Sequence, residues 1–237
     1  MRENRFIGDY DLKGQRLVVS DSALSGQLSK VLRLKAGDNV VLCDGRGQEA
    51  TAMIVGLRPD EVVFSLSDLR SVRNEPLVSV TLYCAVLKRE NFELVAQKAV
   101  ECGAVRIVPV VSARTVKLGV RGDRLTKIVR EAAEQSGRGV LVEVTEPMRL
   151  SAALKEAAGL DAAVVFELGQ PLFNQAALIA GGVKSVGVFI GPEGGWTPEE
   201  VERAVTTGIQ AAGLGKRVLR AETAAVVATF LAATAGE

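Results

Sequence analysis

Histidine is missing from this chain of 237 residues. Its absence removes the commonest general base, and with it a serine–histidine triad and any metal site built on imidazole ligands. Any chemistry must therefore use carboxylates, arginine, backbone groups or a bound cofactor.

Cysteine is sparse as well. Cys43, Cys84 and Cys102 are the three cysteines, and they lie in apolar stretches without the spacing of metal ligands. Buried free thiols are therefore favoured over a disulfide or a zinc site, and we expect no metal.

Long apolar runs are lacking too. No run approaches the length that crosses a membrane, and the first residues carry no apolar signal region. We therefore expect a cytoplasmic protein without a membrane partner. The net charge is only +1, so any contact with RNA must come from a local basic patch rather than from the bulk charge.

A glycine-rich stretch near the C-terminus has a clear order of elements. Ser185–Ile190 is a short β-rich apolar run that predicts a buried strand, and the loop 191–195 follows it. Thr197 then predicts a helix N-cap, with Pro198 at the first helical position and Glu200 completing a capping box.

The stretch 214–225 repeats this order of strand, loop and helix. Its glycine-containing loop precedes a nearly all-apolar helix predicted over Glu222–Ala235. Two such loops at the carboxyl ends of adjacent strands would form a ligand site in an open α/β sheet.

These two stretches also carry a resemblance. Gly-Pro-Glu-Gly-Gly at 191–195 and Leu-Gly-Lys-Arg-Val-Leu-Arg-Ala-Glu-Thr-Ala at 214–224 resemble the RsmE family. The resemblance implies an S-adenosylmethionine-dependent methyltransferase that methylates N3 of one uridine in 16S rRNA of the small subunit, uridine 1498 in the family. It also implies a SPOUT fold with a deep trefoil knot, and a homodimer whose active site is built across the interface.

The remainder of the chain predicts two domains. Short β-rich runs separated by turns predict a small β-barrel over residues 1–70, which the resemblance identifies as PUA-like. A helix is expected over Ser22–Leu34, and the polar stretch that begins at Asp68 predicts a linker, placed at 71–77. Strands and helices alternate over 78–237, which predicts a mostly parallel sheet covered by helices. The predicted fold class is therefore α/β, with an N-terminal PUA-like β-barrel and a C-terminal knotted SPOUT domain.

The resemblance assigns the cofactor pocket for S-adenosylmethionine to matched loop residues. They are Leu168, Gly169, Gly191, Gly195, Leu214, Gly215, Leu219, Ala221, Thr223 and Ala224.

The chemistry of uracil suggests the catalytic candidates. N3–H is a weak acid, and its methylation spreads negative charge onto O2 and O4, which a planar guanidinium can stabilise. Arg138, which matches a third family segment, and Arg220 are both candidates, and the residues do not choose between them. Glu193 or Glu222 could accept the N3 proton, or the proton could leave to water.

The N-terminal domain supplies the candidates for RNA contacts. Arg33, Lys35 and Arg46 lie in segments similar to the family's RNA-binding domain. Two other functions stay open: a SPOUT methyltransferase with another target, such as a ribose 2′-hydroxyl, and a non-catalytic RNA-binding or ribosome-assembly protein.

Overall fold

The structure, a computed structural model, describes residues 4–115 and 122–235. The outermost residues of the two predicted domains, 1–3 and 236–237, lie outside this range. The chain forms two compact units. The first runs to Glu75 and also contains Ala133–Leu141, and the second contains Pro76–Ala132 and the chain from Val142 onward. No sequence pattern indicated that Ala133–Leu141 would belong to the first unit.

The first unit is built on five strands. They are β1 (Arg5–Ile7), β2 (Arg16–Val19), β3 (Asn39–Cys43), β4 (Gln48–Arg58) and β5 (Glu61–Ser71). The order in the sheet is β1-β3-β4-β5-β2, with β1 and β3 parallel and the other pairs antiparallel. Alternating inward side chains of these strands form one apolar core with Leu24 and Leu28. This is the predicted N-terminal β domain.

The helix expected over Ser22–Leu34 is shorter than predicted. Asp21 caps α1 (Ser22–Gly26) by accepting hydrogen bonds from two backbone N–H groups of the first turn. The chain then forms one π-helical turn, Gln27–Val31. Arg33 has a φ of +56°, a left-handed backbone that ends the helix. The apolar spacing of this segment does not reveal these changes, since the leucines are buried in either geometry.

The polar stretch that begins at Asp68 starts in a strand, and the first residue of the linker placed at 71–77 lies in the same strand. Strand β5 continues to Ser71 because it pairs with β4 as far as Gln48. Because the residues at this end of the strand are polar, the sequence did not indicate β structure there.

The second unit alternates strands and helices, as predicted. Its strands are β6 (Ser79–Ala85), β7 (Ala104–Val111), β8 (Glu143–Val144), β9 (Met148–Arg149), β10 (Ala162–Phe166), β11 (Ser185–Ile190) and β12 (Gln210–Ala212). Its helices are α2 (Arg89–Glu101), α3 (Gly122–Ser136), α4 (Leu150–Ala157), α5 (Gln175–Ala180), α6 (Pro198–Thr206) and α7 (Ala221–Ala233). The last four residues of α3 cluster with the first unit.

The sheet of the second unit is parallel throughout, in the order β12-β10-β11-β6-β7-β8, with β9 also paired to β7. The α/β fold class is therefore confirmed. One expectation is wrong: the strands that precede the two glycine-rich loops are not adjacent, because β10 lies between β11 and β12. A third loop, the one after β10, therefore joins the other two at the same edge.

The packing of helix α7 accounts for its nearly all-apolar sequence. It packs against α2, β6 and β11, and its alanines at 225, 228 and 232 are fully buried. Small side chains let it lie close to its neighbours, since a Cβ added to Gly103 would come within 2.9 Å of the Ala233 Cβ. Within the described part of the chain, no helix is long and apolar enough to span a membrane.

Candidate functional site

A cavity of about 650 Å³ opens at the carboxyl ends of the parallel strands in the second unit. The loops after β10, β11 and β12 line it, together with Lys88 and Asn91 at the start of α2. This is the edge at which ligands bind in open α/β sheets, and the volume is in the range of small-molecule sites. The position is the one that the sequence predicted from its two glycine-rich loops.

The loop after β11 is shaped by its glycines. Gly195 has a φ of +71°, and its N–H donates to the Pro192 carbonyl at 2.8 Å, closing a tight turn. Gly191 lies against the Trp196 indole, and a Cβ at Gly191 would be 3.2 Å from the ring. Both positions therefore need glycine for a local reason.

The helix after this loop begins as the sequence predicts. Thr197 caps α6, and Glu200 completes the capping box by accepting the Thr197 N–H at 2.9 Å. The second oxygen of the buried Glu200 carboxylate accepts the Ala113 N–H at 2.8 Å. Glu200 therefore joins the helix to the segment after β7, a contact that the capping motif alone does not suggest.

The loop between β12 and α7 forms the opposite wall. Gly215 has a φ of +110°, and Arg220 is the N-cap of α7. Val218 is 81% exposed and lines the cavity, as does Arg217. The Arg220 side chain is 86% exposed, with Nη1 3.9 Å from Glu222 Oε1. At this exposure and distance the pair contributes little to stability.

Most of the predicted cofactor residues meet at this cavity. Eight of them line it: Leu168, Gly191, Gly195, Leu214, Gly215, Leu219, Ala221 and Ala224. Gly169 and Thr223 are exposed and are not among the lining residues. Helical geometry explains why Thr223 does not line the cavity. Ala221 and Ala224 are three residues apart on one face of α7, and Thr223 lies on another.

Several lining residues were not predicted. They include Lys88, Asn91, Phe166, Ile190, Trp196 and Arg217. Lys88 and Asn91 come from α2, about a hundred residues before the motif, so only the strand order brings them here. Arg217 stood inside the quoted motif, and its charge was a signal that could have been used.

Three of the four predicted catalytic candidates also lie here. Arg220, Glu193 and Glu222 line the cavity, and the Glu193 carboxylate accepts the Lys88 N–H at 3.2 Å.

Arg138 lies in the first unit, where it is 2% exposed. Its guanidinium donates from Nε and Nη2 to the Glu75 carboxylate at 2.9 and 2.7 Å. Glu75 also accepts the N–H groups of Gly139 and Val140. Within this unit, the buried Arg138 side chain therefore has a structural environment: an ion pair with the partly exposed Glu75 that fixes the segment after α3.

The three predicted RNA-contact residues are all exposed in the first unit. Arg33 occupies the left-handed position after the π-helical turn. Lys35 belongs to a turn in which its N–H donates to Asp38 at 2.7 Å. The Arg46 guanidinium pairs with Asp9 at 2.5 Å, with both side chains more than 70% exposed. All three guanidinium or ammonium groups are accessible to a polyanion.

The lining of the cavity combines two chemistries. Phe166, Ile190 and Leu219 offer apolar surface, whereas the acidic and basic side chains of Glu193, Arg217 and their neighbours offer charge of both signs. Such a lining suits a small ligand that has both apolar surface and charged groups.

Comparison with known proteins now identifies the family. Residues 73–233 match a family described as an RNA methyltransferase domain, and residues 28–67 match an RNA methyltransferase PUA domain. Ribosomal RNA small subunit methyltransferase E from Bacillus subtilis is 30% identical, over 84% of this chain and 82% of that protein. The chain belongs to this family.

Other members agree with this assignment. The same methyltransferase from Synechocystis sp. is 34% identical over 85% of this chain and 67% of its own length. A crystal structure of the Neisseria gonorrhoeae methyltransferase E bound to S-adenosyl methionine superposes with a TM-score of 0.87 at 29% identity, covering 96% of this chain and 95% of that one. A putative methyltransferase from Legionella pneumophila, in complex with the same cofactor, gives 0.86 at 27% identity, covering 97% and 96%. The predicted family and its SPOUT-type α/β fold are therefore confirmed.

Proposed function

We propose that this protein uses S-adenosylmethionine to methylate N3 of a specific uridine in the 16S rRNA of the small ribosomal subunit. The observation that carries the proposal is the cavity, which the two family motifs build at the carboxyl edge of the parallel sheet. The relatives named above are ribosomal RNA methyltransferases, and the Neisseria protein was solved with this cofactor.

The residues of the cavity fit this cofactor. The buried Nε1 of Trp196 has no hydrogen-bond partner among the described residues, which leaves a donor at the wall. The glycine backbone at 191, 195 and 215 would offer it hydrogen bonds, and the side chains of Leu219 and Ala224 would offer it apolar surface. When bound, S-adenosylmethionine supplies an electrophilic methyl group on a sulfonium. The protein must then align the uracil N3 with this methyl group and allow the N3 proton to leave.

Arg220 is our candidate for stabilising the uracil anion. It lines the cavity and its guanidinium is 86% exposed, so its donors are accessible to O2 and O4 of a uracil. Arg138 stays the second candidate, but within its own unit its guanidinium already donates two hydrogen bonds to the Glu75 carboxylate.

Glu193 is our candidate for accepting the N3 proton. Its carboxylate is exposed at the cavity and accepts a hydrogen bond from the Lys88 N–H. Glu222, which also lines the cavity, and transfer of the proton to water are the alternatives, and either would leave Glu193 with a purely structural role.

The proposal has four further parts: the RNA contacts, the cellular location, the knot and the oligomeric state. Arg33, Lys35 and Arg46 would contact phosphates of the rRNA, and the protein would act in the cytoplasm, where ribosomes are assembled. The C-terminal chain would form the deep trefoil knot of the superfamily. The protein would act as a homodimer, and sedimentation of a monomer at micromolar concentration would count against that part.

Two variants separate the arginine candidates. Arg220→Ala should keep the fold and the affinity for S-adenosylmethionine while lowering methyl transfer about a hundredfold, since loss of one oxyanion donor costs roughly that much. Arg138→Lys keeps a cation beside Glu75 but loses the fork of donors. If the lysine variant loses transfer and Arg220→Ala does not, the role belongs to Arg138. Normal turnover in both variants would exclude the proposed role of either.

A further inference from the structure

The loop between β11 and α6 is held from outside the cavity by Arg114, a residue of the segment after β7. The Arg114 Nη1 donates to the carbonyl of Gly194 at 2.6 Å and to that of Trp196 at 3.3 Å. The Gly194 backbone also packs on the arginine stem, since a Cβ there would be 3.4 Å from Arg114 Cδ. Gly194 and Trp196 both line the cavity.

The segment that carries Arg114 is itself fixed. The Ser112 N–H donates to Thr115 Oγ1 at 2.9 Å, and the two hydroxyls lie 2.9 Å apart, so the chain turns tightly around Arg114. Glu200 holds the neighbouring Ala113 N–H and is 7% exposed. Because Glu200 also caps α6, the arginine and the loop that it contacts are held by one carboxylate.

The two peptide groups whose carbonyls accept from Arg114 also form hydrogen bonds through their N–H groups. The Gly195 N–H, which belongs to the peptide of the Gly194 carbonyl, donates to Pro192. The Thr197 N–H, which belongs to the peptide of the Trp196 carbonyl, donates to Glu200. Arg114 therefore supplies the carbonyl hydrogen bonds of two peptide groups whose N–H groups are already bonded. The orientation of these two peptide groups sets the shape of the loop.

We propose that Arg114 is a positioning residue, which holds the loop 192–196 in the conformation that binds the cofactor. This inference rests on the proposed function, because it assumes that the cavity takes S-adenosylmethionine. A charged donor to a carbonyl forms one of the stronger hydrogen bonds, and one guanidinium can serve two carbonyls in a fixed geometry. Without it the loop must be ordered when the cofactor binds, which lowers affinity and leaves the chemical step unchanged.

The test measures binding of S-adenosylmethionine to the full chain by calorimetry. Trp196 is the only tryptophan, so its fluorescence gives a second, local readout. Arg114→Ala should raise the Kd about tenfold and raise the KM for the cofactor to match, with kcat at saturating cofactor within about twofold of wild type. Arg114→Lys, which keeps the charge but has no fork, should recover part of the affinity.

Arg203→Ala is the matched control. Arg203 is an exposed arginine of α6, the helix that follows the loop, and it is outside the set that lines the cavity. Its substitution should leave the Kd unchanged. The wild-type chain supplies the other control, because failure of wild type to bind the cofactor would overturn the proposed function itself.

Two results would overturn the role of Arg114 while leaving the proposed function standing. In the first, Arg114→Ala binds S-adenosylmethionine as tightly as wild type. In the second, the Kd for the cofactor is unchanged but the KM for the ribosomal subunit rises, which would make Arg114 an RNA contact. A loss of kcat at saturating cofactor would also contradict a role confined to positioning.

Discussion

At the residue scale, two neighbouring glycines in the loop after β11 have different requirements. Gly195 has a φ of +71°, whereas Gly194 has no positive φ and only ordinary contact with Arg114. We predict that Gly195→Ala lowers the free energy of unfolding by about 1 kcal/mol, the cost of a left-handed backbone with a Cβ. Gly194→Ala is the matched control and should cost less. Urea unfolding measures both, and equal losses would contradict the difference in backbone strain.

Cys43 links stability to pH. Burial raises the pKa of its thiol to about 11 from an ordinary value of 9.0, although the Arg5 guanidinium opposes the shift. The unfolded chain therefore loses this proton first as the pH rises, and its contribution to stability, complete below pH 9, is lost between about pH 9 and 11. Unfolding free energies measured across this range should fall more steeply for wild type than for Cys43→Ala. Parallel curves would show that Cys43 does not titrate this way.

The residues of the site were predictable only where a motif carries them. Gly191, Gly195 and Leu219 could be named because the pattern of the family includes them. Lys88 and Arg114 could not be named. They follow β6 and β7, and they reach the loop because β6 pairs with β11 and β7 pairs with β6. The buried pair of Arg138 and Glu75 was also missed, because 63 residues separate its members.

At the scale of elements, local signals predicted helix starts better than helix ends. The capping box of α6 was predicted residue by residue and is present. The end of α1 was not, because the π-helical turn and the left-handed Arg33 leave no mark in apolar spacing. The short elements β9 and α5 were missed, since two to six residues are too few to show a period.

Helix α7 contains a buried hydroxyl that can be tested. Thr229 is fully buried, and its Oγ1 has no hydrogen-bond partner among the described residues. Thr229→Val should therefore raise the free energy of unfolding by about 1 kcal/mol, because it removes an unsatisfied buried polar group without changing the shape.

The same helix end provides the control. The Thr234 hydroxyl donates to the Phe230 carbonyl at 2.8 Å and lies 3.2 Å from Gln175 Nε2. Thr234→Val removes a partnered group and should lower stability. If both valine variants lose stability in thermal unfolding, the Thr229 hydroxyl has a partner that this account omits.

At the scale of the whole molecule, alternating strands and helices were enough to predict a parallel sheet, and the sheet has that form. Strand order was not predictable from the sequence. The insertion of β10 between β11 and β12 depends on how the long connections pack, and it brings a third loop to the cavity. The two units divide the proposed work: the residues proposed to contact RNA lie in the first, and the cofactor cavity lies in the second.

The most direct measurement is transfer of labelled methyl groups from S-adenosylmethionine to small ribosomal subunits taken from a strain that lacks this activity. Nucleoside mass spectrometry would then identify the product. We predict one N3-methyluridine in 16S rRNA. Label in any other nucleoside, such as a 2′-O-methylated one, would contradict the proposed target, and absence of both transfer and cofactor binding would contradict the enzyme itself.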